Sequence, residues 1–266
     1  MPRRGSVAKA GIHRVALRLS RALLVLLLGA GFATTMPVLR GRVRQQFFQA
    51  WFRWLLGAFG IRYVLHGKEH LGRGGALVVS NHVSWLDVVV LQAIRPMRLL
   101  AKTEVGSWPV IGPLAARAGT LYIDRDRLTA LPGAVRAIAD ALRGGAVVGA
   151  FPEGTTWCGL ASGTYRPAVF QAAVDARVPV QPMALRFRTE DGRRTTVAAF
   201  VGDATLFDSV LAVVRTRRLV VEVSVLPELD AARIADRREL ARQAEAALVD
   251  APVPASSAAR REAVAA

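Results

Sequence analysis

Ala76-Leu77-Val78-Val79-Ser80-Asn81-His82-Val83-Ser84-Trp85-Leu86-Asp87-Val88-Val89-Val90 joins two apolar runs through a short polar junction. The first run reads as a buried strand ending at Ser80, and the second as a helix starting near Ser84, so the polar residues fall in a strand-to-helix turn. Turns of this kind, on the carboxyl edge of a sheet, are where α/β proteins usually place their sites. Ser84 and Asp87 have the spacing of a capping box. His82 precedes the helix and Asp87 lies in its first turn. Five residues of separation would set the two about 140° apart on one ideal helix, so contact requires His82 to sit in the turn. There Asp87 can accept from one ring nitrogen, fix the tautomer and leave the other nitrogen free to take a proton. Two readings stand open: a paired base, or a cap beside a histidine bonded to a carbonyl.

Outward from this turn the chain alternates strand and helix. Strands are expected at residues 61–65, 76–80, 98–101, 120–123, 146–151, 180–186, 195–201 and 219–225. Helices are expected at residues 85–94, 131–142 and 165–176, between the last two strands, and at 231–248. The fold class is therefore α/β, with a mixed, largely parallel sheet flanked by helices. In domain terms, residues 1–60 read as a basic leader, an apolar membrane segment and an aromatic interfacial helix. Residues 61–250 read as the α/β domain and 251–266 as a disordered tail.

The N-terminal region is the most lipid-like part. Residues 22–39 carry no charge and follow a leader containing Arg14, Arg18 and Arg21. About twenty apolar residues can cross a bilayer. Gly29, Gly31 and Pro37 interrupt the run, and Arg40, Arg42 and Arg44 follow it, which also allows a segment that dips into one leaflet. A cleaved leader is disfavoured by the length of the basic stretch. Phe47-Trp51-Leu55 and Phe48-Phe52-Leu56 then share one helical face, suited to a lipid interface or to a core.

The net charge of +16 over 266 residues is almost wholly arginine and suits a phosphate-rich partner surface. No helix-turn-helix, zinc or aromatic-basic signature accompanies it, so membrane lipid is the expected partner and nucleic acid is not. Cys158 is the single cysteine, which rules out an intramolecular disulfide and fits a reducing, cytoplasmic face. His13, His66 and His70 lack acidic or cysteine partners at ligand spacing, and no metal site is expected.

Three later stretches also bear chemistry. Lys102 and Arg125 fall near strand ends and offer an ammonium and a guanidinium to an anionic headgroup. Phe151-Pro152-Glu153-Gly154-Thr155 follows an apolar strand: Gly154 permits a sharp turn or close approach, Thr155 can donate, and Glu153 accepts. Val178-Pro179-Val180-Gln181-Pro182 reads as a core strand.

Asn81-His82, four residues, then Asp87 resembles the NHX4D motif of the glycerolipid acyltransferases, the 1-acyl-glycerol-3-phosphate acyltransferase type in particular. The other three blocks resemble that family's later motifs in the family's order, together covering roughly residues 61–186. The resemblance implies that His82 and Asp87 are catalytic, that Lys102 and Arg125 bind the acceptor phosphate, and that Glu153, Gly154 and Thr155 serve acceptor binding and site architecture. It links the proline-bounded strand to the acyl-donor side. It also implies an N-terminal membrane-dipping helical pair. The implied reaction moves a fatty acyl group from acyl-CoA or acyl carrier protein to the free hydroxyl of 1-acyl-glycerol-3-phosphate, making phosphatidic acid at the cytoplasmic face of the cell membrane. The thioester is a co-substrate and no cofactor is expected. Family members acting on lysophosphatidic acid usually carry arginine where Thr156 stands, so another acceptor such as lyso-ornithine lipid stays open. The rivals are a thioesterase using Ser80 or Ser84 and a non-catalytic membrane-surface scaffold.

Overall fold

The computed structural model describes residues 8–35, 41–108, 111–124, 127–202 and 205–251. Arg125, the first seven leader residues and the expected tail from residue 252 lie outside the described residues.

Seven strands form one sheet: β1 Ile61–His66, β2 Ala76–Ser80, β3 Arg98–Lys102, β4 Leu121–Ile123, β5 Val147–Ala150, β6 Val180–Thr189 and β7 Leu219–Val225, in the order β1-β7-β6-β2-β5-β3-β4. Strands β6, β2, β5, β3 and β4 are mutually parallel, while β7 runs antiparallel to β6 and parallel to β1. Every residue of β2 is buried, as expected for a central strand covered on both faces. The period-two alternation divides it between two cores: Val78 joins one, Leu77 and Val79 the other.

The first face is covered by α1 Ile12–Thr35, α2 Gly41–Phe59, α3 Trp85–Ile94 and α7 Leu206–Arg215. The opposite face is covered by α5 Leu131–Arg143, α6 Ala168–Ala176 and α9 Arg237–Val249. Between β3 and β4 lies α4 Ile111–Arg117.

The helical pair at the N-terminus is anchored to the α/β body through polar contacts at both ends. Helix α1 begins ten residues ahead of the charge-free run and includes Arg18, whose guanidinium donates to the carbonyls of Val214 (2.8 Å), Thr216 (2.6 Å) and Arg217 (2.8 Å). A cation among the unpaired carbonyls at the end of α7 is favourable both as a hydrogen-bond donor and against the helix dipole. From α2, Gln49 and Arg53 donate to the Ile94 and Ala93 carbonyls at the end of α3. Gly29 lets the two helices close up: a side chain there would strike the Trp51 indole, which donates to the Val25 carbonyl at 2.9 Å. The face of α2 carrying Leu55, Leu56 and Phe59 is buried in the sheet's core, while Leu23, Leu24, Leu27 and Leu28 of α1 and Trp54 of α2 are exposed. Residues 12–32 of α1 are long and apolar enough to cross a membrane by length and composition.

Two expected elements differ. Residues 195–201 form no strand; after Thr195 N–H donates to the Phe187 carbonyl, the segment turns away from β6, and Phe200 N–H donates to Val83 O instead. Its apolar run serves to bury Ala198 against the core rather than to extend the sheet. The helix expected at 231–248 is two, α8 Ala231–Ile234 and α9, separated by a left-handed Ala235 (φ 53°). The Asp236 carboxylate accepts from Arg238 N–H at 2.8 Å and so starts α9 afresh.

Candidate active site

Because β2, β5, β3 and β4 run parallel, the segments that follow them emerge on one edge, and the quoted junction, the Phe151 turn, Lys102 and Ile123 all lie there. Where β2 ends, the Asn81 side chain continues its pairing with β6: the amide nitrogen donates to Leu185 O at 3.0 Å and the amide oxygen accepts from Leu185 N–H at 2.8 Å. The backbone is thereby released to turn while still tied to the sheet.

His82-Val83-Ser84 wraps around the Asp87 carboxylate. One oxygen, Oδ2, takes three donors: His82 Nδ1 at 2.8 Å, Val83 N–H at 2.6 Å and Ser84 N–H at 2.8 Å. Ser84 completes a capping box at the start of α3. The two readings of Asp87 thus hold together: it is the cap and the histidine's partner in the same atom. A proton held between His82 Nδ1 and Asp87 leaves Nε2 with its lone pair. The ring keeps 21% of its surface exposed whereas Asp87 has none, so only the imidazole is open to a reactant.

The turn after β5 grips His82 from three sides. Phe151 stacks on the imidazole, with ring centroids 4.0 Å apart and planes 13° apart. The Glu153 carboxylate accepts His82 N–H at 2.7 Å with one oxygen and Gly163 N–H at 3.1 Å with the other. Trp157 N–H donates to His82 O at 2.7 Å. Gly154 takes a left-handed φ of 77°, which a side chain would strain, and its missing side chain leaves room for the Arg166 guanidinium. Thr155 is exposed, and the Thr156 hydroxyl donates to the Phe200 carbonyl. Lys102 is exposed at the end of β3, in register with Ile123 of β4. His82, Asp87 and Glu153 are therefore in direct contact, Lys102 stands two strands away, and Arg125 lies outside the described residues. Sequence reasoning gave no role to the Phe151 ring, the Asn81 amide or the Trp157 amide. The first two stand inside the quoted motifs, but nothing local marks the third.

Burial raises the Glu153 carboxyl from 4.5 to about 7, against the pull of its two amide donors. A raised carboxyl makes folding easiest where both states are protonated. The stability it contributes is fully present below about pH 4.5 and is lost as pH rises through 7. At 1.36 kcal/mol per pKa unit this amounts to about 3 kcal/mol. Replacing Glu153 by Gln removes the titration, so the stability gap between wild type and Glu153→Gln should shrink from pH 5 to pH 8. Urea unfolding at the two pH values measures it, and a gap independent of pH would contradict the buried, proton-holding carboxyl.

A helix-covered, mostly parallel sheet with a carboxylate-held histidine on its carboxyl edge is the frame of an α/β protein that can present a general base. The profile of the Acyltransferase family matches residues 62–186. A lyso-ornithine lipid O-acyltransferase of Pseudomonas aeruginosa is 35% identical over 247 residues, covering 88% of this chain and 92% of that protein. A 1-acyl-sn-glycerol-3-phosphate acyltransferase of Neisseria gonorrhoeae is 37% identical over 166 residues, where the match spans 62% of this chain and 65% of the relative. The crystal structure of the 1-acyl-sn-glycerophosphate acyltransferase of Thermotoga maritima superposes with a TM-score of 0.65 at 17% identity, covering 90% of this chain and all of that one, and so supports the fold. The chain belongs to the Acyltransferase family, and it spans about two thirds of the length of the Neisseria relatives that it matches.

Proposed function

We propose that the chain moves a fatty acyl group from a thioester, acyl-CoA or acyl carrier protein, to the free hydroxyl of a lysophospholipid at the cytoplasmic face of the cell membrane. The observation that carries this reading is the His82 Nδ1 to Asp87 Oδ2 bond of 2.8 Å beneath a ring still open to solvent. His82 Nε2 takes the hydroxyl proton as the oxygen bonds to the thioester carbonyl carbon; the carbon–sulfur bond then breaks, and the leaving thiolate recovers the proton from the imidazolium. Asp87 stabilises the imidazolium in between. A thiolate leaves readily, so one base suffices.

The acceptor of this reading is 1-acyl-glycerol-3-phosphate, giving phosphatidic acid. In this reading Lys102, exposed two strand spacings or about 10 Å across the edge from the base, meets the phosphate, and Gly154 and Thr155 belong to the turn between them. A second acceptor, lyso-ornithine lipid, is favoured by a specific pair of observations. The Pseudomonas relative aligns along nearly the whole chain, and Thr156 is bonded to Phe200 rather than presenting a cation. Purified protein with labelled acyl-CoA and each lysolipid, followed by lipid chromatography, ranks the two. Phosphatidic acid as the faster product supports the first acceptor. Acylated ornithine lipid as the faster product replaces it, and free fatty acid alone would make the protein a thioesterase.

A further inference from the structure

The loops around the base carry apolar side chains that nothing in the fold covers. Phe207, in the first turn of α7, is 71% exposed, and Leu160, Val201 and Trp157 are exposed as well. All four are tied to the turn that holds His82. Trp157 N–H is bonded to His82 O, Phe200, which precedes Val201, is bonded to Val83 O, and Gly159, which precedes Leu160, packs over the Val83 side chain. Two residues past Phe207, the Ser209 hydroxyl accepts from the Trp85 indole at 3.1 Å. Soluble surfaces rarely gather large apolar residues around one opening without a partner.

The surroundings say which partner. Helix α1 adds apolar exposure at the other end of α7: residues 8–10 are bonded to the chain there, through Ala10 N–H to Arg215 O and Arg217 N–H to Ala8 O, and Ile12 and Leu17 are exposed. Exposed arginines stand among these residues. Arg194 donates to Gly159 O beside Leu160, and Arg14, Arg215 and Arg217 lie where α1 meets the end of α7. Of the nearby acids among the described residues, Asp191 and Glu190 are paired with Arg193 and Arg218, while Asp208, held ionised by its bonds from Thr205, keeps its charge at the start of α7. Apolar side chains interleaved with arginine, the arginines outnumbering the one acid, Asp208, that no arginine pairs, match an anionic bilayer surface, in which rings and leucines enter the headgroup boundary and guanidiniums meet phosphates.

The geometry points to a lipid-docking rim on the catalytic body itself, formed by Leu160, Val201 and Phe207 with Trp157. It seats the mouth of the His82 site on an anionic bilayer, so that a lysolipid reaches the base without leaving the lipid phase. It is separate from the anchoring stripe on α1, and it rests on the lysolipid reading above. The double variant Leu160→Asp/Phe207→Asp should turn over lysolipid embedded in anionic vesicles at least about tenfold more slowly than wild type. On the same lysolipid dispersed in detergent micelles its rate should stay within about twofold. Phe207→Trp, which suits the interface equally, should keep the vesicle rate. Vesicle turnover unchanged in the double variant overturns the rim, and so does an equal loss in micelles, which would place these residues in the site or the fold. A dye on Phe207→Cys in a Cys158→Ser background reads the contact without any chemistry. A blue shift on adding vesicles supports it and no shift overturns it, even if wild type acylates neither lysolipid and the functional reading fails.

Discussion

His82→Ala is expected to cut acyl transfer by about a hundred- to ten-thousandfold, the range that a positioned general base supplies. In the proposed reaction, what disappears is the nitrogen that takes the acceptor's proton. What remains is a hydroxyl of very low acidity facing a thioester, and positioning without deprotonation leaves most of the barrier in place. The fold should survive, because Asp87 keeps its bonds to Val83 N–H and Ser84 N–H, so α3 still starts where it did. The grip of Glu153 and Trp157 is also retained, since both bind the backbone of residue 82 rather than its ring. Removing the ring opens a slot against Phe151, and added imidazole should enter it and restore part of the rate. Initial rates with saturating thioester, alongside a thermal melt, test this. Turnover near wild type in a folded variant would show that the base lies elsewhere.

How much of this was legible in the chain depended on sequence distance. The turn, the helix start and the contact between His82 and Asp87 could be argued from eight consecutive residues, because capping chemistry is local and fixes where the first turn points. The parallel central strands were legible because a strand buried on both faces has no polar alternation, as residues 76–79 illustrate. The grip on His82 was not legible. Glu153 is 71 positions away, and its meeting with His82 follows from β5 lying next to β2, with Val79 opposite Ala150, a pairing that only the assembled sheet decides. The failed strand at residues 195–201 has the same root: its apolar run does bury Ala198, but after Thr195 the backbone leaves the ladder, and Phe200 N–H bonds the turn at Val83 instead. The break at Ala235 had a local signal in Asp236 followed by Glu239, the spacing of a helix start, masked by strong helix formers on both sides.

Asp87→Asn separates the two duties that meet in one carboxylate oxygen. The amide oxygen can replace Oδ2 and accept from Val83, Ser84 and His82 Nδ1, because the opposite orientation would aim an NH2 at three donors. Cap and tautomer therefore persist. The new NH2 falls where Oδ1 sits, a buried atom with no partner among the described residues, and leaving it unpaired costs about 1–3 kcal/mol of stability. The negative charge is lost, and the imidazolium that forms as the hydroxyl gives up its proton then has no counter-ion in a site whose carboxylate is wholly buried. That interaction exists only while the proton is in transit, so its removal should lower kcat by about a hundredfold or more and leave KM nearly unchanged. Asp87→Ala, by contrast, strands two backbone donors at the start of α3 and should lose activity and another kilocalorie or so of stability together. Kinetics and melts of both variants distinguish the duties. An Asn variant within about threefold of wild-type kcat would reduce Asp87 to a helix cap and leave His82 to act without a charged partner.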